Sequence, residues 1–206
     1  MASARLVLAT RNPHKVGELQ AILLHAGVDV SLVGMDAFPH VPDVVEDGLT
    51  FASNALKKAR ETATATQLPC LADDSGLCVD ALNGMPGVFS ARWSGRHGDD
   101  AANLDLVLAQ LSDVADGLRG ARFECAAALA LPSGQERVVS GTVEGRLLRA
   151  RRGSGGFGYD PIFLPDGHEV TTAEMSAAEK NAISHRGRAF RALVPAIAEL
   201  VNAPQG

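Results

Sequence analysis

The strongest constraint on the fold stands at the start of the chain. An apolar run, Arg5–Thr10 (RLVLAT), meets a helix-start signal, Asn12-Pro13, within two residues. A short apolar run suits a buried strand, and Asn as cap with Pro at the first helical position suits the helix that follows. HKVGELQAILLHAG then carries Val16, Leu19, Ile22 and Leu23 at helical spacing and stops at Gly27. VDVSLVG reads as a second strand.

The rest of the chain continues the mixture. A second helix is predicted from Thr50 to about Gln67, with Ala52, Ala55, Leu56, Ala59 and Ala63 as its apolar stripe. LPCLADD reads as a third strand ending in two acids, and GLCVDAL as a fourth, followed by the turn-rich NGMPG. Asn103–Leu111 reads as helical, and ARFECAAALALP with RVVSGTVEGRLL, separated by SGQE, as a hairpin. RGSGGFGYDP is a glycine-rich loop. Near the end, Phe190, Leu193, Val194, Ile197, Leu200 and Val201 form the strongest helical stripe. The pattern is α/β with a mixed sheet. No repeat, low-complexity tract or linker divides the 206 residues, which read as a single domain, 1–206.

Composition removes several function classes. At 46% hydrophobic and 21% charged the chain can build a core and is too apolar for disorder. A formal net charge of −5 argues against a nucleic-acid or membrane-surface binder. The opening MASARLVLAT lacks the long apolar region and cleavage site of an export signal, and no later run approaches a membrane span. Cys70, Cys78 and Cys125 are an odd count without a C-x-x-C pattern, as reduced, buried thiols of a cytoplasmic protein would be.

An acidic chain still binds polyphosphate where positive charge is local or a metal ion supplies it. In LATRNPHKVGE, a strand feeding a helix presents backbone N–H groups at a helix start, with Thr10, Asn12 and Lys15 beside them. Lysine so early opposes the helix dipole, so an anionic partner would explain it; a capped helix with a surface lysine is the structural alternative. In CLADDSGLCVD, adjacent carboxylates repel unless a cation lies by them, which suits Mg²⁺. Asp73 and Asp74 would point to opposite faces of an extended strand, one toward ligand and one bracing the structure; a strand end with a turn is the alternative. Glu46 is a second candidate ligand or a helix-entry acid, and Lys57 or Lys58 would reach a phosphate or be solvated. GSGGFGYDPIF sets Phe157, Tyr159 and Phe163 among glycines, as a purine-stacking loop or a flexible loop with aromatic anchors. AEMSAAEKNAISHRGRAF concentrates Lys180, His185, Arg186 and Arg188, with Ser184 placed to cap the last helix.

Taken in order, ATRNPHKVGEL, VEDGLTFASNALKKA, ADDSGLCVDALNGMPGVFSAR, GGFGYDPIF and EKNAISHRGRA resemble the inosine/xanthosine triphosphate pyrophosphatase family over nearly the whole chain. Each motif alone is weak, and five in register are specific. The resemblance implies an α/β fold with a long mixed central sheet, two lobes with an active-site cleft between them, and a homodimer. It implies hydrolysis of noncanonical purine nucleoside triphosphates (ITP, dITP, XTP) to monophosphate and pyrophosphate, with Mg²⁺ as cofactor. By motif match Thr10, Arg11, Asn12, Pro13, His14 and Lys15 would contact the triphosphate, with Lys58 and Ser75 by the phosphates. Glu46 and Asp74 would hold Mg²⁺, Asp74 also serving as general base. Phe157, Gly158, Tyr159, Asp160, Lys180, His185 and Arg186 would form the nucleoside pocket. Arg11 stands where many members have glycine, and would add a phosphate contact. The competing readings are a septum-inhibitor-like pyrophosphatase for pyrimidine or modified nucleotides, and a nucleotide-binding sensor without turnover.

Overall fold

In a computed structural model, residues 4–202 are described; the part of the opening segment at residues 1–3 lies outside them. Seven strands form one sheet in the order β2-β1-β3-β5-β6-β7, with β4 paired to β3. The strands are β1 (Ala4–Leu8), β2 (Val30–Val33), β3 (Cys70–Val79), β4 (Met85–Pro86), β5 (Gly120–Ala130), β6 (Glu136–Leu147) and β7 (Phe163–Pro165). β1 runs parallel to β2 and to β3, whereas β3–β4 and β6–β7 are antiparallel, so the sheet is mixed as expected. The helices are α1 (Pro13–His25), α2 (Phe51–Thr66), α3 (Asp100–Gln110), α4 (Ala177–Ile183) and α5 (His185–Asn202). None is long and apolar enough to cross a membrane.

The described chain divides into two compact units: residues 4–74, 125–141 and 186–202 form the first, residues 75–124 and 142–185 the second. In the first, Leu6 and Leu8 of β1, Leu19 and Leu23 of α1, Leu71 of β3 and Phe190, Leu193 and Ile197 of α5 share one core. The terminal apolar stripe is thus the lid of that core. In the second, Leu77 and Val79 of β3, Leu104, Val107 and Leu111 around α3, and Tyr159, Ile162 and Phe163 pack together. Arg119 is fully buried there because its guanidinium donates to the carbonyls of Leu111, Leu147 and Leu148.

Local signals account for the helix ends. The Asn12 side chain accepts from His14 N and Pro13 opens α1. Thr50 caps α2 through Ser53 N, Ser53 returns the bond to Thr50 N, and Gln67 closes the helix in the left-handed region. Two expectations need correction. The third and fourth strands are one ten-residue strand, β3, running through Asp73-Asp74-Ser75-Gly76 without a turn. Gly76 is there for close approach: a Cβ would overlap Ser90 Oγ and the Gly87 carbonyl. The buried face of α2 is also rotated, with Ala52 exposed and Phe51, Asn54, Ala55, Ala59, Thr62 and Ala63 inside.

All three cysteines are free and buried, as their spacing implied. Burial pushes the Cys70 thiol up to about 12 and the Cys78 thiol up to about 11, which leaves both unreactive at neutral pH.

Candidate active site

The phosphate-side candidates other than Ser75 lie in the first unit. Strand β1 ends at Leu8, and the turn to α1 closes on itself through Asn12 N donating to Thr10 Oγ1. Lys15, one turn inside α1, does have an anionic partner, and the protein supplies it: its Nζ lies 3.1 and 3.2 Å from the two oxygens of Asp73. Arg186, at the start of α5, donates through Nε to the same carboxylate at 3.0 Å, and its Nη1 lies 4.0 Å from Glu18. Burial alone would raise the Asp73 pKa, but Lys15, Arg186 and Lys58 together hold it well below the usual carboxylate range. Asp73 is therefore the bracing acid of the pair.

Asp74, next in β3, has different company. It is largely buried, and Asn54 Nδ2 donates to its Oδ2 at 2.9 Å. Lys58 Nζ is bonded to Glu46 and to the backbone carbonyl of Asp73. Burial works against the Lys58 charge, but Asp73, Glu46 and Asp74 outweigh it and the pKa is raised, so the ammonium persists at neutral pH. Lys57, by contrast, pairs with Asp47 at 2.7 Å on the surface.

Arg11 carries a contact set that the sequence did not suggest. Its Nε bonds Asp43 Oδ1 at 3.0 Å and its Nη2 the Val41 carbonyl at 2.9 Å, tying the turn to the segment after β2. Among the described non-glycine residues only Gln67 and Asn83 have positive φ, so this turn does not require the glycine that many family members place here. Pro13 and His14 are exposed at the helix start.

The second unit holds the base-side candidates other than Arg186. Phe157 is 68% exposed, with Lys180 Nζ 4.9 Å from its ring centroid. Asp160 is buried and commits both oxygens to protein donors: Oδ1 to Thr172 Oγ1, Oδ2 to Phe157 N and to Lys180. It shapes the loop. Gly158 N donates to Asp100 at 2.9 Å, and Tyr159 is buried with its hydroxyl on the Ser90 carbonyl. The ring of His185 stacks on Phe123, centroids 5.1 Å apart and 13° from parallel. Ser75 follows Asp74 in β3 and is half-buried, while Arg188 is exposed. Lys180 sits in α4, a separate short helix capped by Ser176 and Glu179, and Ser184 stands between α4 and α5.

For a metal, Glu46 and Asp74 offer carboxylate oxygens only, the donor type that Mg²⁺ prefers over nitrogen or sulfur. Among the described residues no group of three or more His, Cys, Asp or Glu side chains could hold a metal. Two carboxylates nonetheless fit Mg²⁺ that arrives with substrate, because this ion is commonly bound by one or two carboxylates together with phosphate oxygens and water. Sequence reasoning missed Asn54. The signal was present: Asn54 lies one helical turn from Phe51, on the stripe that Ala55 and Ala59 continue.

A strand–helix turn of the kind that suits an anion, a braced acid and an adjacent acid on one mixed sheet fit a nucleotide-handling α/β enzyme. The model of the Ham1 family matches residues 6–196, and the chain belongs to that family. It is 66% identical to a Streptomyces coelicolor protein named dITP/XTP pyrophosphatase, over 96% of this chain and 99% of that one. A Nocardia farcinica protein of the same name is 58% identical over 98% of each chain. Among solved structures, a nucleoside-triphosphatase / dITP/XTP pyrophosphatase from Mycobacterium abscessus is similar with TM-score 0.81 and 55% identity, covering 94% of this chain and 99% of that one. A HAM1 protein from Coxiella burnetii gives TM-score 0.88 at 42% identity, over 95% and 99%.

Proposed function

We propose that this chain hydrolyses noncanonical purine nucleoside triphosphates, namely ITP, dITP and XTP, to the monophosphate and pyrophosphate. What supports the reading most is Asp74: a carboxylate held through one oxygen by Asn54, next to an acid already neutralised by Lys15 and Arg186. Such an acid is free of its neighbour's charge and can take a proton.

Asp74 deprotonates a water whose oxygen bonds to the α-phosphorus. The bond from that phosphorus to the bridging oxygen breaks, and its electron pair leaves with pyrophosphate. Lys15, Lys58 and the N–H groups at the α1 start stabilise the charge on the leaving group, with Thr10, Asn12, His14 and Ser75 as polar contacts. Arg11 and Pro13 act mainly through the shape of the turn. Glu46 and Asp74 would hold Mg²⁺ together with the substrate phosphates, and the ion would supply neutralisation of the triphosphate charge.

On the base side Phe157 offers a face for stacking and Lys180 steadies it, while Gly158, Tyr159 and Asp160 set the loop. Inosine and xanthosine present an acceptor oxygen at purine position 6 where adenosine presents a donor amine. Arg186, with His185, donates to that oxygen, since a guanidinium carries only donors and disfavours an amine at that position. The family resemblance adds a homodimer and a cytoplasmic location to this reading.

The test is a product assay. With ITP and Mg²⁺ we expect inosine monophosphate and pyrophosphate in equal amounts, and loss of turnover in a chelator. Diphosphate plus orthophosphate as first products would contradict the reading. ITP binding with no turnover would support the sensor instead.

A further inference from the structure

Asn54 is 1% exposed in the first turn of α2, on its buried face, where a polar side chain is costly unless both ends are satisfied. Both are. Its Oδ1 accepts from Gly48 N at 2.7 Å, and its Nδ2 donates to Asp74 Oδ2 at 2.9 Å. One amide therefore ties the backbone two residues after Glu46 to the carboxylate of Asp74. The bond to a backbone N–H fixes which end of the amide faces which partner, so the donor necessarily meets the carboxylate. The fit is close: a Cβ on Gly48 would overlap Ser53 Oγ and Asn54 Oδ1. A side chain at position 48 would displace the Ser53 hydroxyl or the Asn54 amide.

We propose that Asn54 is a positioning residue for the divalent cation used with the triphosphate, acting through Asp74 and through the segment that carries Glu46. It fixes the orientation of the Asp74 carboxylate through its bond to Oδ2. It also holds the Glu46 segment at a fixed distance from that oxygen. Loss of partners that orient ligating carboxylates typically costs about 10–100-fold in metal affinity. The inference rests on the Mg²⁺ role given to Glu46 and Asp74 above.

The experiment uses a nonhydrolysable α,β-methylene analogue of ITP, with affinity measured by calorimetry in chelator and in saturating Mg²⁺. In the wild type Mg²⁺ tightens binding. In Asn54→Ala we expect that tightening to shrink at least about tenfold, with affinity in chelator little changed. Asn54→Leu keeps the volume but cannot donate to Asp74, and Gly48→Ala disrupts the clamp from the other side. Both should show the same Mg²⁺-specific loss, and they decide the matter if the cavity in Asn54→Ala unfolds the chain. Full Mg²⁺ tightening in these variants, with only a lower melting temperature, would overturn the inference and make Asn54 a packing residue. Absence of tightening in the wild type would overturn the metal reading itself, and this inference with it.

Discussion

Asp74→Asn lowers kcat for ITP by at least roughly a hundredfold while the fold survives, the loss expected when a general base is removed. The substitution preserves shape, and an Asn carbonyl oxygen can still accept from Asn54 Nδ2, so that bond survives. What disappears is the negative charge and the basic oxygen. Asp80→Asn is the control: its side chain is largely exposed at the far end of β3, 3.8 Å from Arg122, and turnover should stay within about twofold, as for an exposed pair of small energetic weight. Near-normal turnover of the Asp74 variant at saturating Mg²⁺ would remove Asp74 from the reaction.

Asp73→Ala acts on stability. It leaves Lys15 and Arg186, with side chains 26% and 14% exposed, without their shared counter-charge. Breaking a buried pair by removing one partner costs about 3–5 kcal/mol, and Lys15 has room to turn toward water, so the lower end applies. For a chain of this length that corresponds to a fall of roughly 6–12 °C in melting temperature. The pH dependence follows from the lowered pKa of Asp73. A group depressed in the folded state contributes stability above its unfolded pKa, about 3.9, and loses it as the pH falls through the folded value. The wild-type advantage should thus be constant from about pH 5 to 8 and shrink below about pH 4. Denaturant unfolding of both proteins across that range checks it. A difference under about 1 kcal/mol at neutral pH would mean that the ion pairs at Asp73 carry no more than surface pairs do.

The two neighbouring acids show how far the sequence could be read. That one of them would brace the structure followed from strand alternation. Which was which did not follow, because Asp73 is defined by Lys15 and Arg186, 58 and 113 positions away. Helix ends were legible where the determinant is local: Asn12-Pro13, Thr50 with Ser53, Gln67. β3 was misread as two strands because Asp, Ser and Gly favour turns in isolation. In the folded chain Gly76 answers a steric demand from Gly87 and Ser90, and no local signal encodes that. Asn54 escaped for a similar reason, since a polar residue on an apolar stripe looks like an interruption until its two partners are known. Asp160 was legible as part of a motif, whereas its work in holding Phe157 and Lys180 emerges only from three converging hydrogen bonds.

The central claim is that water attacks the α-phosphorus. Hydrolysis of ITP in ¹⁸O-water, with the products separated and weighed by mass spectrometry, tests it most directly. One ¹⁸O should enter each inosine monophosphate and none the pyrophosphate. Label in pyrophosphate would mean attack at the β-phosphorus, and label in orthophosphate attack at the γ-phosphorus; either result would contradict the account.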